Sequence, residues 1–243
     1  MAPNKIKQIN LPSGIKLLHL RDTGLPFDIV SACFRAGSRF DPVGGEGLAH
    51  LFEHLLMSKT NRYPDKIGRL NVLENNGIYF NAFVNREIAY YYHSQLPEKT
   101  IFSLSALLEG ISNSIIDQDS LNQEKNIIID ESIRYKNNPG DYIWDLNFKS
   151  LFKKSSLGRS FYGSKASLKS ISLADVKNFR NKYYQTNNLY LVIISDQKTE
   201  YLVSIINRHF SGQKKIKPMD FLKENFVKQD LVQIDNQNLG QVQ

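Results

Sequence analysis

The sequence of 243 residues has one cysteine, five histidines and no long apolar run. The single cysteine, Cys33, excludes an internal disulfide and any metal site built from several cysteines. No apolar run approaches the roughly 18 residues that a membrane-spanning helix requires. The first ten residues are polar and basic with no apolar segment behind them, so we expect no secretory signal and a cytoplasmic location.

The composition is that of an ordinary globular protein, with 41% hydrophobic and 23% charged residues. The net charge is +7, but the basic residues are spread through the chain. Their densest group, Lys214, Lys215 and Lys217, has no nucleic-acid-binding motif beside it. We therefore expect no nucleic-acid partner, and the positive charge can instead attract acidic peptides or surfaces.

Two of the five histidines lie in one short segment, His50-Leu51-Phe52-Glu53-His54. From Leu48 onward, two or more turns lack proline and glycine and are rich in Leu, Ala and Met, which predicts a helix. Residues at i and i+4 share a helix face, so His50 and His54 can bind one metal ion. Glu53 flanks the same face and can act on a water at that ion. The segment is the inverted form of the His-Glu-x-x-His zinc motif.

Two histidines cannot hold a catalytic zinc ion alone, because such a site has three protein ligands and a position for water. On the helix predicted for residues 120–135, Glu124 and Glu131 lie about two turns apart on one face, with Ile127 and Ile128 between them. Carboxylates on an apolar face are costly unless they meet a cation, and a metal ion would explain these two. The other interpretation is a surface helix with solvated glutamates. The residues alone leave both open.

The order of the predicted elements is typical of an α+β fold. The predicted strands are 14–20, 27–34, 78–84, 88–94 and 189–194. The other predicted helices are 65–76, 99–116, 142–152, 172–184 and 199–210. Aromatic-rich strands on either side of Asn85-Arg86-Glu87 indicate an antiparallel hairpin. We therefore predict a mixed, largely antiparallel sheet that is covered by helices.

With these motifs, the chain resembles the pitrilysin, or insulinase, family of zinc peptidases. That family pairs His-x-x-Glu-His with a glutamate ligand well downstream, and Glu131 follows His54 by 77 positions. A second acidic residue precedes the family's ligand by seven positions, and Glu124 fills that place. Asn81-Ala82 is similar to the start of the family's substrate-binding strand.

The resemblance implies a catalytic zinc centre. His50, His54 and Glu131 would hold Zn²⁺, and Glu53 would be the general base that removes a proton from water and returns it to the leaving amine. Glu124 would support a ligand without touching the metal. The resemblance thus decides between the glutamates in favour of Glu131.

The resemblance also implies a substrate and a partner. An extended peptide would add a strand beside Asn81 and Ala82, although an ordinary edge-strand residue is the other interpretation of Asn81. Family members carry a second domain of similar fold that closes over the substrate. We therefore expect one half of a two-domain clamshell, with a zinc-binding peptidase domain at residues 1–217 and, at 218–243, a linker and the first strand of the second domain. The closing domain could lie on the same chain or on a partner subunit, and we expect this chain alone to be poorly active.

The expected function is a zinc-dependent endopeptidase that hydrolyses extended or unfolded peptides. One alternative is a non-catalytic peptide-binding or structural subunit of a heteromer, although such subunits typically lose motif residues and this chain keeps them. Another is a zinc-stabilised binding module. Such a module would not need Glu53, because a structural zinc site closes its coordination with a fourth protein ligand.

Overall fold

The computed structural model describes residues 6–153 and 155–211, which form an α+β fold. The strands are β1 (Lys7–Asn10), β2 (Lys16–Arg21), β3 (Asp28–Phe34), β4 (Tyr79–Val84), β5 (Ala89–Gln95) and β6 (Leu189–Ser195). The helices are α1 (Leu48–Leu56), α2 (Lys66–Asn75), α3 (Thr100–Asn113), α4 (Gln118–Asn137), α5 (Pro139–Leu151), α6 (Lys165–Ser170), α7 (Leu173–Tyr183) and α8 (Thr199–His209). None of the helices in these two stretches is long and apolar enough to cross a bilayer.

The six strands form one mixed sheet in the order β1-β2-β6-β3-β5-β4. Strands β2 and β6 are parallel, and the other four neighbouring pairs are antiparallel. The predicted mixed, largely antiparallel sheet is therefore confirmed. Strand β4 lies at one edge and, within the described residues, pairs only with β5.

The main core lies between one face of this sheet and the helices. Along β6, buried residues such as Leu191 and Ile193 alternate with partly exposed ones. The buried residues belong to one cluster with Leu55 of α1 and Leu107 of α3. This alternation is typical of an antiparallel sheet with one face covered. Helix α1 contacts both β4 and α4, so it lies between the sheet edge and the longest helix.

The first turn of helix α1 is capped by a side chain that lies outside the helix. Its N-cap, Gly47, has φ +94°, and a Cβ there would meet the Tyr162 carbonyl oxygen at 2.7 Å. Gly47 offers no side chain to the first turn, and the fully buried Asp41 carboxylate takes this role. It accepts hydrogen bonds from the N–H groups of Gly47 (2.8 Å) and Ala49 (2.7 Å). Burial raises the pKa of Asp41 to about 8, and these two hydrogen bonds act in the opposite direction.

The structure corrects the sequence-based expectations for β1, α6 and Ile127. Strand β1 and helix α6 were not predicted, because four and six residues are too short to show a periodic pattern. Ile127 was expected on the buried face of α4, but it is 40% exposed. The buried face is centred near Leu121 and Ile128, about a third of a turn from Ile127. The segment 218–243 lies outside the described residues, so its assignment to a second domain stays a prediction.

We expect Asp41→Ala to lower the free energy of unfolding by about 1–3 kcal/mol, because it leaves two buried N–H groups of α1 without an acceptor. Urea unfolding followed by circular dichroism measures the change. Asp130→Ala, at an exposed position of α4, is the control and should not lower stability. Equal stability of the Asp41 variant and the native chain would contradict the role of Asp41.

Candidate metal centre

The packing of α4 against α1 brings the predicted zinc ligands together. The Nε2 atoms of His50 and His54 lie 3.6 and 3.7 Å from Oε2 of Glu131. Ligand atoms around a tetrahedral zinc ion, with bonds of about 2.0–2.1 Å, are roughly 3.3–3.4 Å apart. Both distances are close to the separation that one zinc ion would impose on two of its ligands. That they bind zinc stays a prediction.

Glu53 belongs to the same cluster. Its Oε2 lies 3.9 Å from Nε2 of His50 and 3.7 Å from Nε2 of His54. His50, Glu53 and His54 form a group whose ligand atoms all lie within 4.8 Å of one another. Glu131 is not in that group, but it reaches both histidines from α4. Burial raises the pKa of Glu53 to about 7, against the influence of the His54 charge.

The side chains of this cluster are better suited to binding a cation than to lying together without one. Burial lowers the pKa of His50 to about 3, so its imidazole is neutral at physiological pH and has a lone pair to offer. Its Nε2 nevertheless faces two carboxylates, those of Glu53 and Glu131. Carboxylates gathered in a buried cluster are stable only when a cation or hydrogen-bond donors compensate them. A divalent ion bound by the two Nε2 atoms and Glu131 would supply that compensation.

Glu124 orients His54 without approaching the other candidate ligands. Its Oε2 lies 2.9 Å from Nδ1 of His54, and its side chain is 5% exposed. A proton on Nδ1 shared with Glu124 leaves the Nε2 lone pair available to a metal, the usual arrangement of a carboxylate that supports a zinc-bound histidine. Burial by itself would lower the pKa of His54, but the Glu124 hydrogen bond and the neighbouring carboxylates hold it above its usual value.

Lys66, at the start of α2, was not singled out from the sequence. Its Nζ donates to Oε1 of Glu124 at 2.7 Å, so Glu124 bridges Lys66 and His54. Burial would raise the pKa of Glu124, but these two hydrogen bonds outweigh burial and lower it. No sequence pattern links positions 66 and 124, and only the contact between the two helices reveals the pair.

Aromatic side chains form one wall of the cluster. The rings of Phe161 and Tyr162 lie 5.3 and 4.8 Å from the ring of His50. Both residues come from the segment before α6, for which the sequence predicted no element. They cover His50, which helps to explain why it is more buried than His54.

Two other histidines, His19 and His93, are buried elsewhere in the fold. Nδ1 of His19 lies 2.9 Å from the Thr199 hydroxyl, and Nδ1 of His93 lies 3.0 Å from the Ser103 hydroxyl. Neither belongs to a cluster of possible metal ligands among the described residues. Both act as packed core residues.

The predicted substrate-binding residues lie on the edge strand β4. Oδ1 of Asn81 accepts a hydrogen bond from the N–H of Ala82 at 2.8 Å, and Nδ2 of Asn81 donates to the Tyr79 hydroxyl at 3.1 Å. A peptide that paired with Ala82 would have to replace the Asn81 side chain. The position fits the prediction, and substrate binding by Asn81 and Ala82 stays a prediction.

Comparison with family models shows which protein family the chain belongs to. Residues 24–165, more than half of the sequence, match the model of the insulinase family, peptidase family M16. The chain belongs to the M16 peptidase family. Residues 170–243 match a further model of this family, described as the peptidase M16 inactive domain. All candidate site residues lie within the first match, and the resemblance to the pitrilysin family is confirmed.

Curated relatives include zinc proteases of the same family. An uncharacterized zinc protease of Rickettsia felis is 29% identical over 194 residues, which cover 79% of this chain and 47% of that protein. The mitochondrial-processing peptidase subunit beta of Saccharomyces cerevisiae is 29% identical over 175 residues, which cover 72% of this chain and 38% of that protein. The chain thus spans half or less of the length of these relatives.

Solved structures share the fold. A protease from Helicobacter pylori superimposes with a TM-score of 0.83 at 20% identity, over 91% of this chain and 55% of that one. Pitrilysin superimposes with a TM-score of 0.78 at 20% identity, over 91% of this chain and 24% of that one. These likenesses confirm the predicted M16 fold, in which the described residues correspond to one part of a larger protein.

We expect Glu124→Gln to weaken zinc binding by about tenfold or more, because the neutral amide holds the His54 ring less firmly and loses the ion pair with Lys66. Competition with a chromogenic chelator measures the dissociation constant. Glu74→Gln, at an exposed position of α2, should leave the constant unchanged. If both variants bound zinc as the native chain does, Glu124 would have no part in holding His54.

Proposed function

We propose that this chain carries the zinc-binding, catalytic part of a metalloendopeptidase that hydrolyses extended peptides. The observation that supports this most is the convergence of His50, His54 and Glu131 around a common point, with the buried Glu53 beside it. We assign Glu53 to the water and not to the metal, as in the inverted zinc motif, so that the fourth position of a catalytic site stays open.

The chemistry follows from the roles that these side chains can take. Bound by His50, His54 and Glu131, Zn²⁺ supplies a Lewis acid that acidifies water and polarises the peptide carbonyl. Glu53 removes a proton from the attacking water and delivers it to the leaving amine. Glu53 is placed for both transfers, because its Oε2 lies within 3.9 Å of the Nε2 atoms of both histidines. Glu124 and Lys66 keep the His54 ring in place.

The substrate proposal rests on the free edge of β4. Backbone groups on an edge strand can pair with an added strand of almost any sequence. Helix α1 contacts β4, so a peptide on that edge would run close to His54 and Glu53. Only an extended segment can pair in this way, which favours unfolded or flexible substrates over folded proteins.

We further propose that a second unit of related fold completes the active site, on the same chain or on a partner subunit. The matched residues cover 47% and 38% of the two curated relatives, and residues 170–243 match a further model of the family. We expect residues 1–243 alone to cleave a quenched fluorescent peptide at least tenfold more slowly than the longer protein, because substrate held on one side only is poorly oriented. Equal rates would remove the need for a closing unit.

We expect Glu53→Gln in the longer protein to reduce kcat by about a hundredfold or more while zinc stays bound, because the amide cannot accept the proton. A quenched-peptide assay gives the rate, and metal analysis after gel filtration gives the zinc content. Glu74→Gln serves again as the exposed control. Unchanged cleavage would reject Glu53 as the base. Zinc binding without cleavage in the native protein would favour the non-catalytic peptide-binding subunit.

A further inference from the structure

The outer face of the β4–β5 hairpin carries a continuous row of aromatic rings. Tyr79 and Phe83 of β4 are 58% and 46% exposed. The row runs from Tyr79 to Tyr92 (6.1 Å between ring centroids), to Tyr90 (5.7 Å) and to Phe83 (5.2 Å). Asn81 lies between Tyr79 and Phe83 on β4, opposite Tyr92 of β5.

The register of the hairpin shows which backbone groups face the free edge. The N–H of Asn85 donates to the Ile88 carbonyl, so residues 85 and 88 are a hydrogen-bonded pair. Bonded and non-bonded pairs alternate along antiparallel strands, which makes Ala82 and Tyr91 a non-bonded pair. The N–H and carbonyl of Ala82 therefore point to the free edge. The hydrogen bond from Ala82 to the Asn81 side chain agrees with this orientation.

The same alternation divides the side chains of β4 between two faces. Phe80 and Ala82 pack against the main core, on the side of α1 and the candidate metal centre. Tyr79, Asn81 and Phe83 point to the opposite face. A peptide paired along the free edge would follow the same rule, and every second side chain would lie beside Tyr79, Asn81 or Phe83.

Strand β4 also lacks the devices that usually protect an edge strand. It has no charged residue and no proline, and the exposed N–H of Ala82 is blocked only by the rotatable side chain of Asn81. Exposed edges with apolar side chains tend to pair with another strand. Such an edge favours aggregation unless it binds a partner strand as part of the protein's function.

We propose that Tyr79 and Phe83 form a side-chain subsite for aromatic or branched aliphatic residues of the bound peptide. The proposal rests on the proposed function and narrows its substrate class to extended peptides with apolar residues at alternating positions on the outer face. The other side chains of the bound peptide, at the positions in between, would face α1. A carboxylate on the outer face would lie against aromatic ring faces, which carry partial negative charge and do not compensate it.

A second copy of the chain is another possible occupant of the same edge, through pairing of two β4 strands. The peptide is favoured because α1 and the candidate metal centre lie beside this edge and not beside the opposite edge at β1. The oligomeric state of the protein therefore belongs in the test.

The test uses the longer, zinc-loaded protein and two fluorescein-labelled peptides that differ only at alternating positions, with Phe in one and Ser in the other. Fluorescence anisotropy of the Glu53→Gln form measures binding without cleavage, and a positional peptide library measures the selectivity of the active form. Tyr79→Ser and Phe83→Ser remove the subsite, and Phe83→Leu retains an apolar contact. Tyr201→Ser, on α8, is the control, because Tyr201 is similarly exposed at 50% and lies on no strand.

We expect each serine variant to weaken binding of the Phe peptide by about three- to fivefold, the size of a cross-strand aromatic contact, with no change for the Ser peptide. Each should flatten the apolar preference at a different position of the library. Phe83→Leu and Tyr201→Ser should behave as the native protein. Equal effects on both peptides, or unchanged selectivity, would overturn the subsite.

The two proposals fail in different ways. Binding of the Phe peptide that depends on Phe83, without cleavage by the active form, would support the subsite and reject the peptidase. Cleavage with no dependence on Tyr79 or Phe83 would support the peptidase and reject the subsite. Sedimentation velocity completes the test, because a dimer that Phe83→Ser dissociates, with unchanged peptide selectivity, would assign the face to a second copy.

Discussion

The hydrogen bond between Nδ1 of His54 and Oε2 of Glu124 joins the two helices on which the candidate active site depends. Helix α1 supplies both histidines and Glu53, while α4 supplies Glu124 and Glu131. The approach of Glu131 to both histidines requires these helices to pack in one register. Because Glu124 is buried and also bonded to Lys66, a shift of α4 along α1 would leave a buried carboxylate without its donors.

The rest of the fold holds this pair of helices in place. Asp41 satisfies the first turn of α1 from outside the helix, and Gly47 allows the chain to turn into it. The apolar residues of α1 belong to the same core as those of β6 and α3. The edge strand β4 packs against α1, so the surface proposed to bind the peptide and the side chains proposed to cut it are parts of one rigid arrangement. Catalysis would require such fixed geometry, since a small displacement of a base or ligand is costly to the rate.

In these proposals the two faces of β4 have different roles in binding the peptide. The inner face of β4 contacts the core beside the metal centre, and the outer face carries Tyr79 and Phe83. The backbone N–H and carbonyl groups of β4 can form hydrogen bonds with a peptide of any sequence. Selectivity can then come from side chains alone, which lets a single edge strand combine broad peptide binding with a preference at alternating positions.

The amino-acid sequence by itself determined the parts that depend on short-range geometry. The i, i+4 spacing of His50 and His54 places them on one face wherever the segment is helical, and the alternating strands around Asn85 predict their own hairpin. The residues could not decide between Glu124 and Glu131, which only the family pattern separated. The roles of Asp41 and Lys66 were decided by tertiary structure. Lys66 acts on Glu124, which is 58 positions away, and Asp41 reaches the first turn of α1 from outside the helix, at a spacing that no capping pattern predicts. Packing likewise turned Ile127 outward and brought the aromatic wall of Phe161 and Tyr162 against His50.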